Sequence, residues 1–432
     1  MQRKLIALAV ASAFAVPGAA IAQVTISGSF RFSVDAVKWS DSAGAAAVGS
    51  GVSKYGLTGH SSFLRFTSRE NLGGGLTAWG QLENGFSPGR QNAQNFGWFG
   101  RNSAVGLEST SWGNLLIGQW DSPYKSVDGA WSIGSPAAYS YSPTAPIFGN
   151  GDTTGTMPNP NCNVSESGAG WLINTNVASS GTAGVATNCA YSAGSATAFQ
   201  RRLANSIQWW SPVWSGVQLL IATQTNDTKA NNTIPVGGTI VANNPKLWSF
   251  GLRWDGPKWS LVGAYESHKN FNQNLAQTNR LGKDSGAKIG GNYDFGPAKV
   301  SLAYERLNYE LGTILAPTGR RDRNWSIGLA VPVGNGAIKS QYSRAKTTGT
   351  AVTTPCPAAA CGTSANGRIF NLSYEYAMSK RTLLYVAYAK LTQDANSVRQ
   401  FGTNLQGPNG WQEAQQAGAD PRYISFGINH NF

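Results

Sequence analysis

The chain has 432 residues, with 34 Lys and Arg against 21 Asp and Glu, a formal net charge of +13, and only 13% charged residues. Globular domains average about 25% charged residues, so sparse charge beside 52 Gly and 11% aromatics fits a chain that shows one of its surroundings little charge. Mean hydropathy is −0.24 and no long apolar window follows the amino terminus; this excludes a helical membrane protein but not a barrel, whose alternating strands cancel in the mean.

At the amino terminus Arg3 and Lys4 precede LIALAVASAFAV and the triplet Ala20-Ile21-Ala22. A basic start, an apolar run too short to cross a bilayer and an A-x-A site read as a cleavable secretory signal over residues 1–22. Its removal leaves residues 23–432 as a single barrel unit with a net charge of +11.

The first segment beyond it, VTISGSFRFSVD, places Val24, Ile26, Phe30, Phe32 and Val34 on one face and Thr25, Ser27, Ser29, Arg31, Ser33 and Asp35 on the other. The same alternation predicts strands over 64–72, 76–83, 102–108, 114–120, 202–210, 217–223, 247–254, 258–266, 288–295, 299–305, 324–331, 338–342, 369–376, 382–390 and 423–432. The last of these ends in ISFGINHNF, with Ile424, Phe426, Ile428, His430 and Phe432 at every second position up to the final residue. A terminal strand needs a partner, and closure onto the first strand supplies one. The fold class is therefore all-β: a 16-stranded antiparallel transmembrane barrel, even-numbered and wide enough to hold water.

Connections alternate in length. Tight Gly/Pro turns such as 71–75, 255–257 and 332–336 alternate with long polar segments at 36–62, 84–101, 121–201, 226–246, 267–283, 306–323, 343–367 and 391–422. Short turns on one side and long loops on the other are what an outer-membrane barrel has, and a soluble sandwich has no reason for them. Aromatics such as Trp209, Trp248, Trp254, Trp259, Tyr265, Tyr293, Tyr304 and Tyr374 fall near strand ends or on the apolar parity, as girdle residues do.

The other parity carries Arg31, Arg65, Arg69, Arg202, Arg253, Lys288 and Lys299, with Asp35, Glu83, Glu266, Asp294, Glu305 and Glu375. An Arg or Lys facing lipid near the midplane costs about 2 to 4 kcal/mol, so this mixed but basic face points to water.

Other functions find little support. His60, His268 and His430 lie apart, without a neighbouring nucleophile and acid in sequence, so no cofactor-free hydrolase is read and no catalytic residue is assigned. Basic charge is spread over strand interiors, not gathered for nucleic acid. Cys162 and Cys189 fall in one long loop and Cys356 and Cys361 in another; pairing within each loop is the simplest of three connectivities in an oxidising compartment. Metal binding is the rival reading, without His or acid at ligand spacing, and no cofactor is expected.

In order along the chain, VTISGSFRFSVD, LRFTSRENLGGGLTAWGQLENGF, RNSAVGLESTSWGNLLIGQWDSPY, RRLANSIQWWSP, YEYAMSKRTLLYVAYAK and ISFGINHNF resemble the trimeric general porins of Gram-negative outer membranes, of the beta-proteobacterial and neisserial type. The resemblance covers residues 23–432 and implies a water-filled channel for passive diffusion of small hydrophilic solutes and ions, embedded in outer-membrane lipid as a homotrimer; the basic wall adds the expectation of a preference for small anions. It implies that the third loop, 121–201, folds into the pore, with Asp121 and Asp128 as constriction acids facing a wall cluster of Arg31, Arg65, Arg69 and Arg202. Phe432 resembles the carboxy-terminal aromatic read by the barrel-assembly machinery. Two departures stand out: Gly118 is followed by Gln119 where the family usually has Arg, and the third loop is unusually long. A substrate-selective channel is the second reading, with Trp131, Tyr139 and Trp171 of that loop as a platform for sugars or aromatic acids.

Overall fold

The computed structural model describes residues 23–38, 53–86, 99–136, 147–148, 199–200, 202–225, 234–236, 239–241, 246–269, 283–312, 317–349, 366–394 and 420–432. The expected signal, all four Cys, Tyr139 and Trp171 lie outside these residues.

Sixteen antiparallel strands form one closed sheet. They are β1 (Gln23–Lys38), β2 in two segments (Ser53–Gly59 and Ser62–Gly73), β3 (Leu76–Phe86), β4 (Ser103–Ser109), β5 (Gly113–Asp121), β6 (Arg202–Trp210), β7 (Val217–Gln224) and β8 (Lys246–Asp255). The second half comprises β9 (Trp259–Lys269), β10 (Lys283–Asp294), β11 (Lys299–Gly312), β12 (Pro317–Val333), β13 (Gly336–Gly349), β14 (Gly367–Ala377), β15 (Thr382–Gln393) and β16 (Arg422–Asn431). Each strand pairs with its neighbour in sequence, and β16 closes on β1 from Ser29↔Asn431 to Lys38↔Arg422. Closure leaves no backbone edge unpaired, which a bilayer demands.

The polarity is inverted relative to a soluble core. Val24 and Ile289 are 60% and 65% exposed on the outside, whereas Ser29, Glu266 and Asn371 are fully buried inside. Lipid outside and a polar interior give this pattern. At the short-turn end, Asn71 accepts the Gly73 N–H at 2.9 Å, and Gly73, Gly74 and Gly75 all take positive φ, the left-handed conformation that glycine adopts without strain.

The expected strands are all present, but the structure lengthens several at the long-loop end. β2 begins at Ser53, not at residue 64, because an irregularity at His60–Ser61 (Ser61 φ 51°) shifts the parity, so that Leu57 and Leu64 both face outward. β11 runs to Gly312 and β12 starts at Pro317, across most of the loop expected at 306–323. There the outward positions are Arg306, Arg321 and Arg323, so the apolar half of the alternation disappears while the pairing continues.

Candidate functional site

Beyond Asp121 the chain turns into the barrel. The Ser122 Oγ accepts the Lys125 N–H at 3.2 Å and caps a one-turn helix, α1 (Pro123–Ser126), whose proline is preset for the first helical position. A 3-10 turn, Asp128–Ala130, follows. These elements run along the wall of β8 to β13. The Tyr124 N–H donates to Ser249 Oγ of β8 (3.1 Å), and the Tyr124 hydroxyl donates to Glu305 of β11 (2.7 Å). Asn292 of β10 donates to the Ala130 carbonyl (2.6 Å), and Ser135 donates to Gln341 of β13 (2.9 Å).

A buried ion pair pins the centre of this limb: Lys288 Nζ meets Asp128 Oδ1, with the ammonium 4.0 Å from the Tyr124 ring centroid. Burial, and then the Glu305 carboxylate, push the Tyr124 phenol well above its ordinary value, so it remains a neutral donor. The returning limb lies against the same wall: Phe199 stacks on His268 at 4.5 Å, and Gln200 donates to Asp128. Wall glycines make room for both limbs, since a Cβ on Gly290 would stand 2.9 Å from Trp131 and one on Gly286 2.8 Å from Phe199. Trp131 is itself 1% exposed, so its indole packs against the wall and Phe148 and offers no lumenal platform.

The other wall is cationic. Phe63 of β2 lies among three guanidiniums, those of Arg65 at 4.9 Å, Arg101 at 5.4 Å and Arg31 at 5.8 Å from its centroid. Glu83 of β3, 1% exposed, accepts from Arg65 at 2.6 Å and from Arg101 at 2.5 Å. Arg202 at the start of β6 pairs with Asp121 at 3.2 Å and donates to Asn102 Oδ1 at 2.8 Å; Lys125 joins Asp121 at 3.3 Å. Arg31, Arg65, Arg101, Lys125 and Arg202 thus stand with two carboxylates, Glu83 and Asp121.

Of the residues expected from sequence, the structure gathers Arg31, Arg65, Glu83, Asp121 and Arg202 in this cluster and places Asp128 and Lys288 together beneath the loop. Arg69 pairs with Glu108 (2.5 Å), Lys299 with Asp294 (3.5 Å), and Arg253 with Asp255, all towards the short-turn end. Arg101 escaped the sequence reading because it precedes β4 at a bend; extrapolated alternation from Val105 would send it outward. Gln119 explains the bend, its amide donating to the carbonyls of Gly100 and, at 3.3 Å, Arg101. The position where the family usually has an arginine therefore holds a residue that supports another arginine. Burial and the nearby Arg202 lower the Arg101 pKa, but a guanidinium stays charged.

Strand pairing also brings His60 beside Ser33 and Asp35, which sequence spacing did not show. Ser33 contacts His60 Nε2, and Asp35 lies 4.0 Å from that same nitrogen, so this hydroxyl and this carboxylate share one ring nitrogen, whereas a nucleophile-activating relay places them on opposite nitrogens. All three are nearly fully buried. At the other end of the chain, Phe432 exchanges two 3.1 Å backbone hydrogen bonds with Gly28 and stacks on Phe30 at 4.9 Å.

A closed transmembrane barrel with a polar interior, a charged lumenal wall and a loop pinned inside it is a diffusion channel. Residues 7–396 match the Gram-negative porin family, and the chain belongs to that family. It is 26% identical over 358 residues to an outer membrane porin protein of Bordetella pertussis, covering 76% of this chain and 77% of that one. It is 35% identical over 141 residues to the major outer membrane protein P.IB of Neisseria gonorrhoeae, covering 31% and 37% of the two chains. Among solved structures, the anion-selective porin from Comamonas acidovorans shares the fold with a TM-score of 0.62 at 20% identity, covering 95% of this chain and 100% of that one. OmpF of Salmonella typhi shares it with a TM-score of 0.53 at 14% identity, covering 95% and 98%. The protein is an outer-membrane porin that passes solutes by passive diffusion, not an enzyme.

Proposed function

We propose that this porin prefers small anions, and that the cluster of Arg31, Arg65, Arg101 and Arg202 sets the preference at the narrowest part of the lumen. The carrying observation is the imbalance of charge: Glu83 and Asp121 are outnumbered by the cations around them, and Asp128 is turned away into its pair with Lys288. Fixed positive charge in a water-filled constriction attracts anions and repels cations. The name of the Comamonas acidovorans porin, anion-selective, agrees with this reading. In the same reading Arg69, Arg253 and Lys299 tune the inner vestibule, and Asp128 with Lys288 holds the loop.

Residues 1–22 serve as the exported chain's cleaved signal, Phe432 as the residue engaged by the assembly machinery, and the chain works as a homotrimer. A solved OmpT of Vibrio cholerae with this fold is described in a trimer form. The test is the zero-current potential of the purified protein in a planar bilayer under a tenfold KCl gradient. The expected sign is that of chloride preference; a potassium-selective sign overturns the assignment of the cluster.

A further inference from the structure

The lumenal wall of β3 to β6 carries three tryptophans among inward residues such as Gln81, Glu83, Glu108 and Asn114. Trp79 shares its parity with Gln81 and Glu83, and its indole lies over Gly106 of β4, where a Cβ would stand 2.6 Å from the ring. Trp120 of β5 meets Trp79 edge to face at 5.6 Å and Trp210 of β6 at 6.4 Å. Ala104 and Leu116, both buried, pack with the three rings. Trp79 is nearly buried, whereas Trp120 and Trp210 are half-buried and keep part of their surface on the lumen.

Two of the indole N–H groups are directed into the wall: Trp79 donates to Asn114 Oδ1 at 2.9 Å and Trp210 to Gln208 Oε1 at 3.2 Å. What these two tryptophans offer the lumen is therefore ring surface. Gln208 is fully buried, and its amide also reaches the Trp120 and Asp121 carbonyls at 3.5 and 3.4 Å, which ties the aromatic rack to the point where the third loop leaves β5. Charge differs at the two margins of the rack. Next to Trp120, Asp121 is met by both Arg202 (3.2 Å) and Lys125 (3.3 Å), an excess of one cation. Towards the short turns, Arg69, the register partner of Trp79, is balanced by Glu108.

We propose that this rack is a binding subsite for small aromatic carboxylates on their way through the channel. A planar ring packs on indole surface in offset or edge-on geometry, and an apolar patch rimmed by a few polar groups has the make-up of a ligand site. The carboxylate is drawn to the margin where Arg202 and Lys125 outnumber Asp121, and the ring lies towards Trp210. The balanced Arg69–Glu108 pair leaves no net charge for a second carboxylate. A neutral sugar would stack on the rings but gain nothing from the cationic margin. The subsite rests on the anion preference proposed above, because the same fixed charge brings the solute in; its retention depends on the rings. It belongs to the barrel wall and not to the third loop, whose Trp131 is buried.

The test is conductance block of the purified full-length protein in a planar bilayer in KCl, titrated in turn with benzoate, cyclohexanecarboxylate, acetate, benzamide and maltose. Benzoate is expected to block saturably. Acetate, which lacks the ring, and benzamide, which lacks the charge, should block roughly tenfold more weakly, with cyclohexanecarboxylate between. Trp120→Leu and Trp210→Leu should each weaken benzoate block by roughly three- to tenfold, Trp120→Phe should restore most of it, and Trp248→Leu on the lipid face should change nothing. The zero-current potential, read in the same membranes, should stay chloride-selective throughout. Acetate, benzamide or cyclohexanecarboxylate as potent as benzoate, or undiminished block in both leucine variants, would overturn the subsite and leave the anion preference standing. Block by maltose in place of benzoate would overturn it too, and assign the rack to carbohydrate. A potassium-selective wild type would overturn both readings. The comparison of solutes needs only the wild type, so it decides the matter even for a tryptophan variant that fails to fold.

Discussion

Glu83→Gln is the substitution that most directly reads the field in the constriction. Glu83 is 1% exposed and holds Arg65 at 2.6 Å and Arg101 at 2.5 Å, while those guanidiniums are 35% and 24% exposed to the lumen. Removing its charge leaves the geometry close to intact, because a glutamine oxygen can still accept from one guanidinium, but adds one unit of unbalanced positive charge. An ion passing about 4 Å away in water would feel a change of about 1 kcal/mol. Attraction of anions and repulsion of cations change in opposite senses, and screening at about 0.1 M salt shortens the reach to about 10 Å. The anion-to-cation permeability ratio should therefore rise by roughly three- to tenfold. The zero-current potential in a KCl gradient should move towards the chloride limit, with conductance steps of similar size. A potential that stays put, or moves towards potassium, would show that the cluster lies away from the selective point. A stability loss is expected as well, smaller than the 3 to 5 kcal/mol of a fully buried broken pair because both arginines remain partly hydrated.

Gln119→Leu removes the amide that holds the Gly100–Arg101 bend; the expected result is a weaker anion preference without loss of the barrel, checked by reversal potential beside a far-ultraviolet dichroism spectrum. Lys288→Met leaves Asp128 under the loop without its cation, and should destabilise the fold by about 3 kcal/mol and raise open-channel noise. Adding Asp128→Asn should recover part of that stability, and a double variant worse than the sum would argue against a direct pair. Deleting Phe432 removes both backbone bonds to Gly28 and the stack on Phe30, so outer-membrane insertion should fall while export continues; Phe432→Tyr, which keeps the ring, should insert nearly normally. Unchanged insertion of the deletion, measured by membrane fractionation and heat-modifiable mobility, would return Phe432 to the role of a girdle aromatic.

The barrel was legible because period-two alternation survives wherever lipid lies outside and water inside. It failed where one of those conditions lapsed. At β11 and β12 the outward residues become Arg306, Arg321 and Arg323, so a paired strand read as a polar loop. At His60–Ser61 an irregularity shifts the parity and hid the first segment of β2. Arg101 shows the same limit at the site, because parity assigns a side chain only while the backbone stays extended. The closeness of Ser33, Asp35 and His60 was equally invisible, since it depends on the register between two strands.

Parity also says that a charge faces the interior, but not what it does there. Lys288, Glu305 and Arg65 all point inward, yet the first two lie under Tyr124 and Asp128 and hold the loop, whereas Arg65 stays 35% exposed beside Phe63. The division follows from the loop's path: where it meets the wall, on β8 to β13, Lys288 is paired with Asp128 and Glu305 accepts from Tyr124 and Asn324, so both charges lie beneath the loop and away from passing ions. On β1 to β6, which the described part of the loop leaves uncovered, Arg65 and Arg101 keep 35% and 24% of their side chains exposed to the lumen and, with Arg31 and Arg202, outnumber Glu83 and Asp121. The transverse asymmetry of this channel therefore comes from where the loop is anchored as much as from how many arginines the strands carry. Moving the anchor, as Lys288→Met is designed to do, should alter selectivity even though it removes a cation that faces no passing ion.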